Sequence, residues 1–113
     1  MRKQMIQNAA FEVASQVRAV ENSVDSALAE IAELQARILR ANSLAGVGFA
    51  AVHPTLEKLA GAVSGLVATR GAILGCHAAL ADAKGKVPGL RTVALGDDGD
   101  CPDTPKATLR VVA

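Results

Sequence analysis

The chain predicts an all-α fold: an antiparallel helical hairpin of two long helices with a non-helical C-terminal tail, dimerising into a four-helix bundle. Three observations predict it. A 4-3 hydrophobic stripe runs without Pro or Gly through Ile6, Ala10, Val13, Val17, Val20, Val24, Ala27, Ile31, Leu34, Ile38 and Ala41. Steps of three and four put every member on one side of an α-helix. A second apolar stretch begins at Pro54 and ends before Gly85 and Pro88. From residue 86 onward the composition turns to loop and turn residues. The expected organisation is a hairpin over 1–85 and a tail or arm over 86–113.

The bulk numbers narrow the function. The 113 residues carry 12 basic and 11 acidic side chains, for a net charge of +1. No strong field steers such a chain to nucleic acid or an anionic membrane. Half the residues are hydrophobic, yet there are only two Phe and neither Trp nor Tyr. Slim helices approach closely but bury little area each, and burial sets hydrophobic stabilisation. That shortage argues for an oligomer. The opening residues, MRKQMIQNAAFEVASQ, contain no apolar run of the secretory kind. Two cysteines in an unsecreted chain read as free thiols in a reducing compartment. The reading is a cytoplasmic protein.

The first helix is expected over Gln4–Ala41. Arg37 and Arg40 then fall in its last turn, where cations suit the macrodipole. Asn42 serves as a left-handed stop. Arg2 and Lys3 oppose the dipole, which predicts a frayed start. In heptad terms, position a holds Ala10, Val17, Val24, Ile31 and Ile38. Position d holds Ile6, Val13, Val20, Ala27 and Leu34. β-Branched residues at a favour low-order coiled packing. Phe11, Leu28 and Leu39 widen the apolar side beyond a narrow seam.

Residues 43–53, SLAGVGFAAVH, form the expected connection. Gly46 and Gly48 break helix, and the segment is apolar enough to cap the end of a bundle. The second helix is expected over Pro54–Lys84. Pro54 suits the first helical position, Glu57 the first turn, and Gly85 a left-handed cap. This helix has two opposed faces. The large face carries Leu59, Val63, Leu66, Arg70, Ile73, His77 and Leu80. The small face carries Gly61, Gly65, Ala68, Ala72, Gly75 and Ala79. Glycines at 61, 65, 71 and 75 each cost ~1 kcal/mol relative to Ala inside a helix. Close approach of another helix would compensate.

These faces give the expected sites. The hairpin core is Val17, Val24, Ile31, Leu34 and Ile38 against Leu59, Val63, Leu66 and Ile73. The dimer seam is the small face, Gly61, Gly65, Ala68, Ala72, Gly75 and Ala79. The converse, with the small face inside the hairpin, is the alternative. A turn centred near 47–48 makes facing positions sum to roughly 95. That sets Arg70 beside Asp25, with Glu21 one turn away. Arg70 interrupts an apolar face, so it pairs with one of them or snorkels to water.

The tail holds two short segments of extended character, LRTVAL (90–95) and ATLRVV (107–112). Between them lies GDDGDCPDTP, which is turn material. Residues 90–95 are expected to dock, and 96–106 to move.

Catalytic and cofactor chemistry finds little footing. His53, His77, Cys76 and Cys101 are the soft ligands. His53 and His77 bracket the second helix, and Cys76 and His77 point ~100° apart, so no tetrahedral zinc set converges. Asp97, Asp98, Asp100 and Asp103 lack the order of a calcium loop. GxSxG, GxGxxG after a strand, and GxxxxGK[ST] are all missing. A membrane span over Leu59–Ala83 matches GxxxG twice, but Arg70 sits at its centre. The reading is a non-enzyme without cofactor or metal: an assembly, adaptor or scaffold protein acting through helix surfaces on a second copy, with room for a further protein partner. The alternative is a small nucleic-acid-associated regulator.

Overall fold

The structure, a computed structural model, describes residues 2–90 and Val93. The acidic run at 97–103, Cys101 and the 107–112 segment therefore lie outside the described residues, as does most of 90–95. Two helices, α1 (Arg2–Ala45, 44 residues) and α2 (Phe49–Lys84, 36 residues), pack against each other as a hairpin. No strand occurs among the described residues.

Both helices are longer than the sequence reading set them. α1 begins at Arg2 despite the opposing charges and passes through Asn42. Gly46 ends it instead, with φ of 71°. The Gly46 amide donates to the Ser43 carbonyl at 3.3 Å, and the Val47 amide to the Asn42 carbonyl at 3.3 Å. This reciprocal pair closes a helix end around one left-handed residue. Glycine takes that conformation without the Cβ clash Asn42 would meet, so the stop falls four residues later. Arg37 and Arg40 consequently lie well before the last turn. They bridge to Glu33 instead, at 3.7 and 3.3 Å.

The connection shrinks from 43–53 to residues 46–48. α2 starts at Phe49, and Pro54 sits inside it rather than at its first position. Proline has no N–H, so it removes the bond that would reach the Ala50 carbonyl. Ala50 is exposed, and water can serve that oxygen. At the far end α2 stops at Lys84, where the sequence places it. Gly85 is not left-handed. The chain instead tightens through i→i−3 bonds: Gly85 to Asp82, Lys86 to Ala83, and Val87 to Lys84, at 3.1, 3.0 and 3.2 Å. The left-handed residue is Gly89, with φ of 91°. The Leu90 amide then donates to the Val87 carbonyl and the Val93 amide to the Leu90 carbonyl.

Contacts divide the chain into two compact units. Unit 1 joins the start of α1, through Ala19, to the chain from Gly75 onward. Unit 2 spans Val20–Leu74 and contains the connection.

Within unit 2, α2 turns Val52, Leu56, Leu59, Val63, Leu66 and Ile73 into half-buried positions. α1 answers with Glu21, Val24, Leu28, Ile31, Ile38 and Asn42, also half-buried. In heptad terms this is a seam centred on a and e, not the a/d seam of the stripe. Ile31 and Ile38 keep their places. Val20 and Ala27 at d are half-buried at its edge, while Leu34 at d stays 46% exposed. The rotation has a consequence. Position b lies beside e on the helix surface, so turning toward e brings Asp25 within reach of Arg70.

In unit 1 the same rotation holds. Gln7, Ala10, Ala14 and Val17 are half-buried on α1, while Ile6 and Val13 are exposed. Leu90 is 6% exposed and is the single buried residue among those described.

Candidate functional site

An ion pair crosses the hairpin between Arg70 and Asp25. Arg70 Nε donates to Asp25 Oδ1 at 2.7 Å. Arg70 lies on the large face of α2, and each side chain keeps about half its surface in water (51% and 54% exposed). Pairing and snorkelling therefore coexist: the stem covers apolar surface and the head stays solvated. The hydrogen bond from Arg70 holds the Asp25 carboxyl below its ordinary value. It outweighs a small desolvation, and the guanidinium charge adds to it. The same bond raises Arg70, with Glu21 contributing a weaker attraction.

On the opposite side of α2, Gly61, Gly65, Ala68, Ala72, Gly75 and Ala79 are all exposed. A Cβ built at Gly61, Gly65, Gly71 or Gly75 meets nothing within 4 Å. Among the described residues, no neighbour requires glycine there. Thr69 turns its hydroxyl back on the Gly65 carbonyl at 3.0 Å. Every residue named above as hairpin core is half-buried except Leu34. Leu59, Val63, Leu66 and Ile73 face inward, and the small face points away from α1.

Unit 1 contains a groove of about 210 Å³ that the sequence reading missed. α1 supplies Ala10, Val13, Ala14 and Val17; α2 supplies Leu80 and Ala83; the turn beyond supplies Val87 and Leu90. Its lining is almost wholly apolar, with Arg18, His77 and Lys84 at the margin. Gln7 Nε2 donates to the Gly89 carbonyl at 3.2 Å, and Lys84 Nζ to the Val93 carbonyl at 2.7 Å. Drawing the tail boundary at residue 86 hid this site. Val87 and Leu90, spaced three apart around Pro88, were the available signal.

The connection offers a third feature. Leu44 and Phe49 are 91% and 92% exposed, and Val47 is 45% exposed. The segment does not cover the end of its own hairpin. A three-residue turn leaves no chain to fold back.

Among the described residues no three His, Cys, Asp or Glu side chains are placed to hold a metal ion. Cys76 is an exposed free thiol, His53 is exposed, and His77 is half-buried at the groove. By length and composition alone, α2 could cross a membrane. No protein family, curated protein or solved structure matches the chain.

Proposed function

We propose that this chain is a non-enzymatic helical assembly or scaffold protein of the cytoplasm. In this reading its first partner is a second copy, docked along the small face of α2 to complete a four-helix bundle. One observation carries the reading. With the hairpin formed, a single described residue is buried, while twelve large hydrophobic side chains among those described remain more than a third exposed. Large contiguous apolar patches on a soluble protein mark interaction sites. The glycines of the small face support this choice of seam. Each weakens the helix, none is needed against the described residues, and each allows a second backbone to approach. A two-fold pair is the commonest symmetric solution.

A membrane would also cover an apolar helix. The Arg70–Asp25 pair argues against it, because it ties α2 to a helix bearing Glu12, Glu21, Glu30, Glu33, Arg37 and Arg40. Carrying those charges into a bilayer costs ~2.5–3.5 kcal/mol for each Arg near the centre.

The second reading is a nucleic-acid-associated regulator. It draws on the basic excess of residues 1–19 and 75–93: Arg2, Lys3, Arg18, Lys84, Lys86 and Arg91 against Glu12 and Asp82. Salt-dependent retention on heparin or DNA would favour it.

Light scattering coupled to gel filtration tests the primary reading. The wild-type chain is expected at twice its 11.5 kDa mass. A protein that stays monomeric at high concentration overturns it.

A further inference from the structure

The groove of unit 1 joins an apolar floor to a cationic margin. Val13 and Val17 on α1, Leu80 on α2 and Leu90 beyond it make the floor. Arg18 lines the groove from α1, and His77 and Lys84 line it from α2. All three are half-buried, so they stand against the groove rather than out in water. No acidic side chain lines it among the described residues. Lys84 Nζ donates to the Val93 carbonyl at 2.7 Å, and Arg18 Nη2 to the Ser15 hydroxyl at 3.4 Å. Both acceptors are neutral, so neither bond cancels a charge. A cleft with charges of one sign and apolar walls focuses its field on a ligand of the opposite sign.

Size narrows the guest. The groove holds about 210 Å³. That exceeds the ~150 Å³ of a cavity that takes up benzene, and falls short of the ~300 Å³ at which pockets for drug-sized ligands begin. Along α1 it runs about 10 Å from Ala10 to Val17, at ~1.5 Å per residue. A partner helix, ~10 Å across, would lie over such a groove rather than fill it. One unbranched alkyl chain fits it in both volume and length.

We propose that this groove binds the anion of a free, single-chain fatty acid of medium length. The alkyl chain lies on Val13, Val17, Leu80 and Leu90, and the carboxylate meets Arg18 and Lys84 at the margin. The site goes beyond the assembly reading and does not rest on it, because the small face of α2 contributes nothing to it.

The test titrates the full chain with decanoate, followed by methyl NMR. Shifts at Val13, Leu80 and Val87 should follow one saturable curve, with Val63 and Leu66 unmoved. Decanoate should bind roughly tenfold more tightly than decanol, the effect of two half-exposed ion pairs, and decylammonium should not bind. Arg18→Gln, which leaves the Lys84 bond in place, should weaken decanoate about threefold and leave decanol unchanged. Leu80→Asp should abolish binding of both while helicity by circular dichroism holds. Shifts that never saturate, shifts that reach Val63 and Leu66 equally, or decanol binding as tight as decanoate overturn the proposal. So does the absence of any shift, the result expected if a second copy or another part of the chain fills the groove. Vesicles of anionic phospholipid give the last arm. Co-sedimentation that is lost in Leu80→Asp, without decanoate binding, assigns the groove to a membrane and overturns the proposal.

Discussion

Arg70 Nε lies 2.7 Å from Asp25 Oδ1, joining two residues 45 apart in sequence across the hairpin. Their numbers sum to 95, close to the register expected of a turn over 46–48, which centres on Val47. A carboxyl whose folded pKa is lowered adds stability above its unfolded value, ~3.9, and loses it as pH falls through the folded value. Asp25 is in this class. In Arg70→Gln, the Asp25 carboxyl should titrate back in the ordinary range when followed by carbon NMR. The wild-type advantage over that variant should fade below about pH 4 and shrink with added salt, because both partners are half exposed. An unchanged Asp25 titration would count against the pair.

Gly65→Leu with Ala72→Leu addresses the small face. Both positions are exposed within the chain and Gly65 has open space around it. The hairpin should keep its helicity while the light-scattering mass falls by half. Loss of helicity together with mass would instead place these residues inside the fold.

Gly71 is a helical glycine off the six-residue small face, and a Cβ at this position would have no neighbour within 4 Å. Gly71→Ala should stabilise the protein by up to ~1 kcal/mol. Chemical denaturation should show a higher midpoint at unchanged slope.

Gly89→Ala should act the other way. Space exists, since the nearest atoms are Lys3 side-chain carbons at 3.7 Å. The backbone is the obstacle: φ of 91° costs an L-residue roughly 1–2 kcal/mol. The Gln7 bond to the Gly89 carbonyl should weaken with it. Amide exchange should quicken across 85–90 while α2 near Val63 is unchanged.

Leu44→Gln and Phe49→Gln alter side chains that are more than nine-tenths exposed. Surface changes of this kind usually stay within about 0.5 kcal/mol. Thermal unfolding should hardly move. A large destabilisation would reveal that something covers the connection in solution.

The sequence by itself determined that there are two long helices, where α2 ends, and which of its faces is bulky. Periodicity and composition are local properties, legible residue by residue. It also set the hairpin register, because a short turn leaves antiparallel positions little freedom. Helix ends were less legible. Asn42 and Pro54 are ordinary stop and start signals, but Gly46 relieves a steric clash that Asn42 cannot. Only the tertiary structure decided that α1 centres its buried side on a and e and leaves Leu34 and Val13 outward. The stripe is wider than one partner helix can cover, and the flank that is buried is the one that brings Asp25 to Arg70. The groove likewise needed three dimensions: Ala10 and Val17 meet Leu80 and Leu90 only once the chain has folded back on itself.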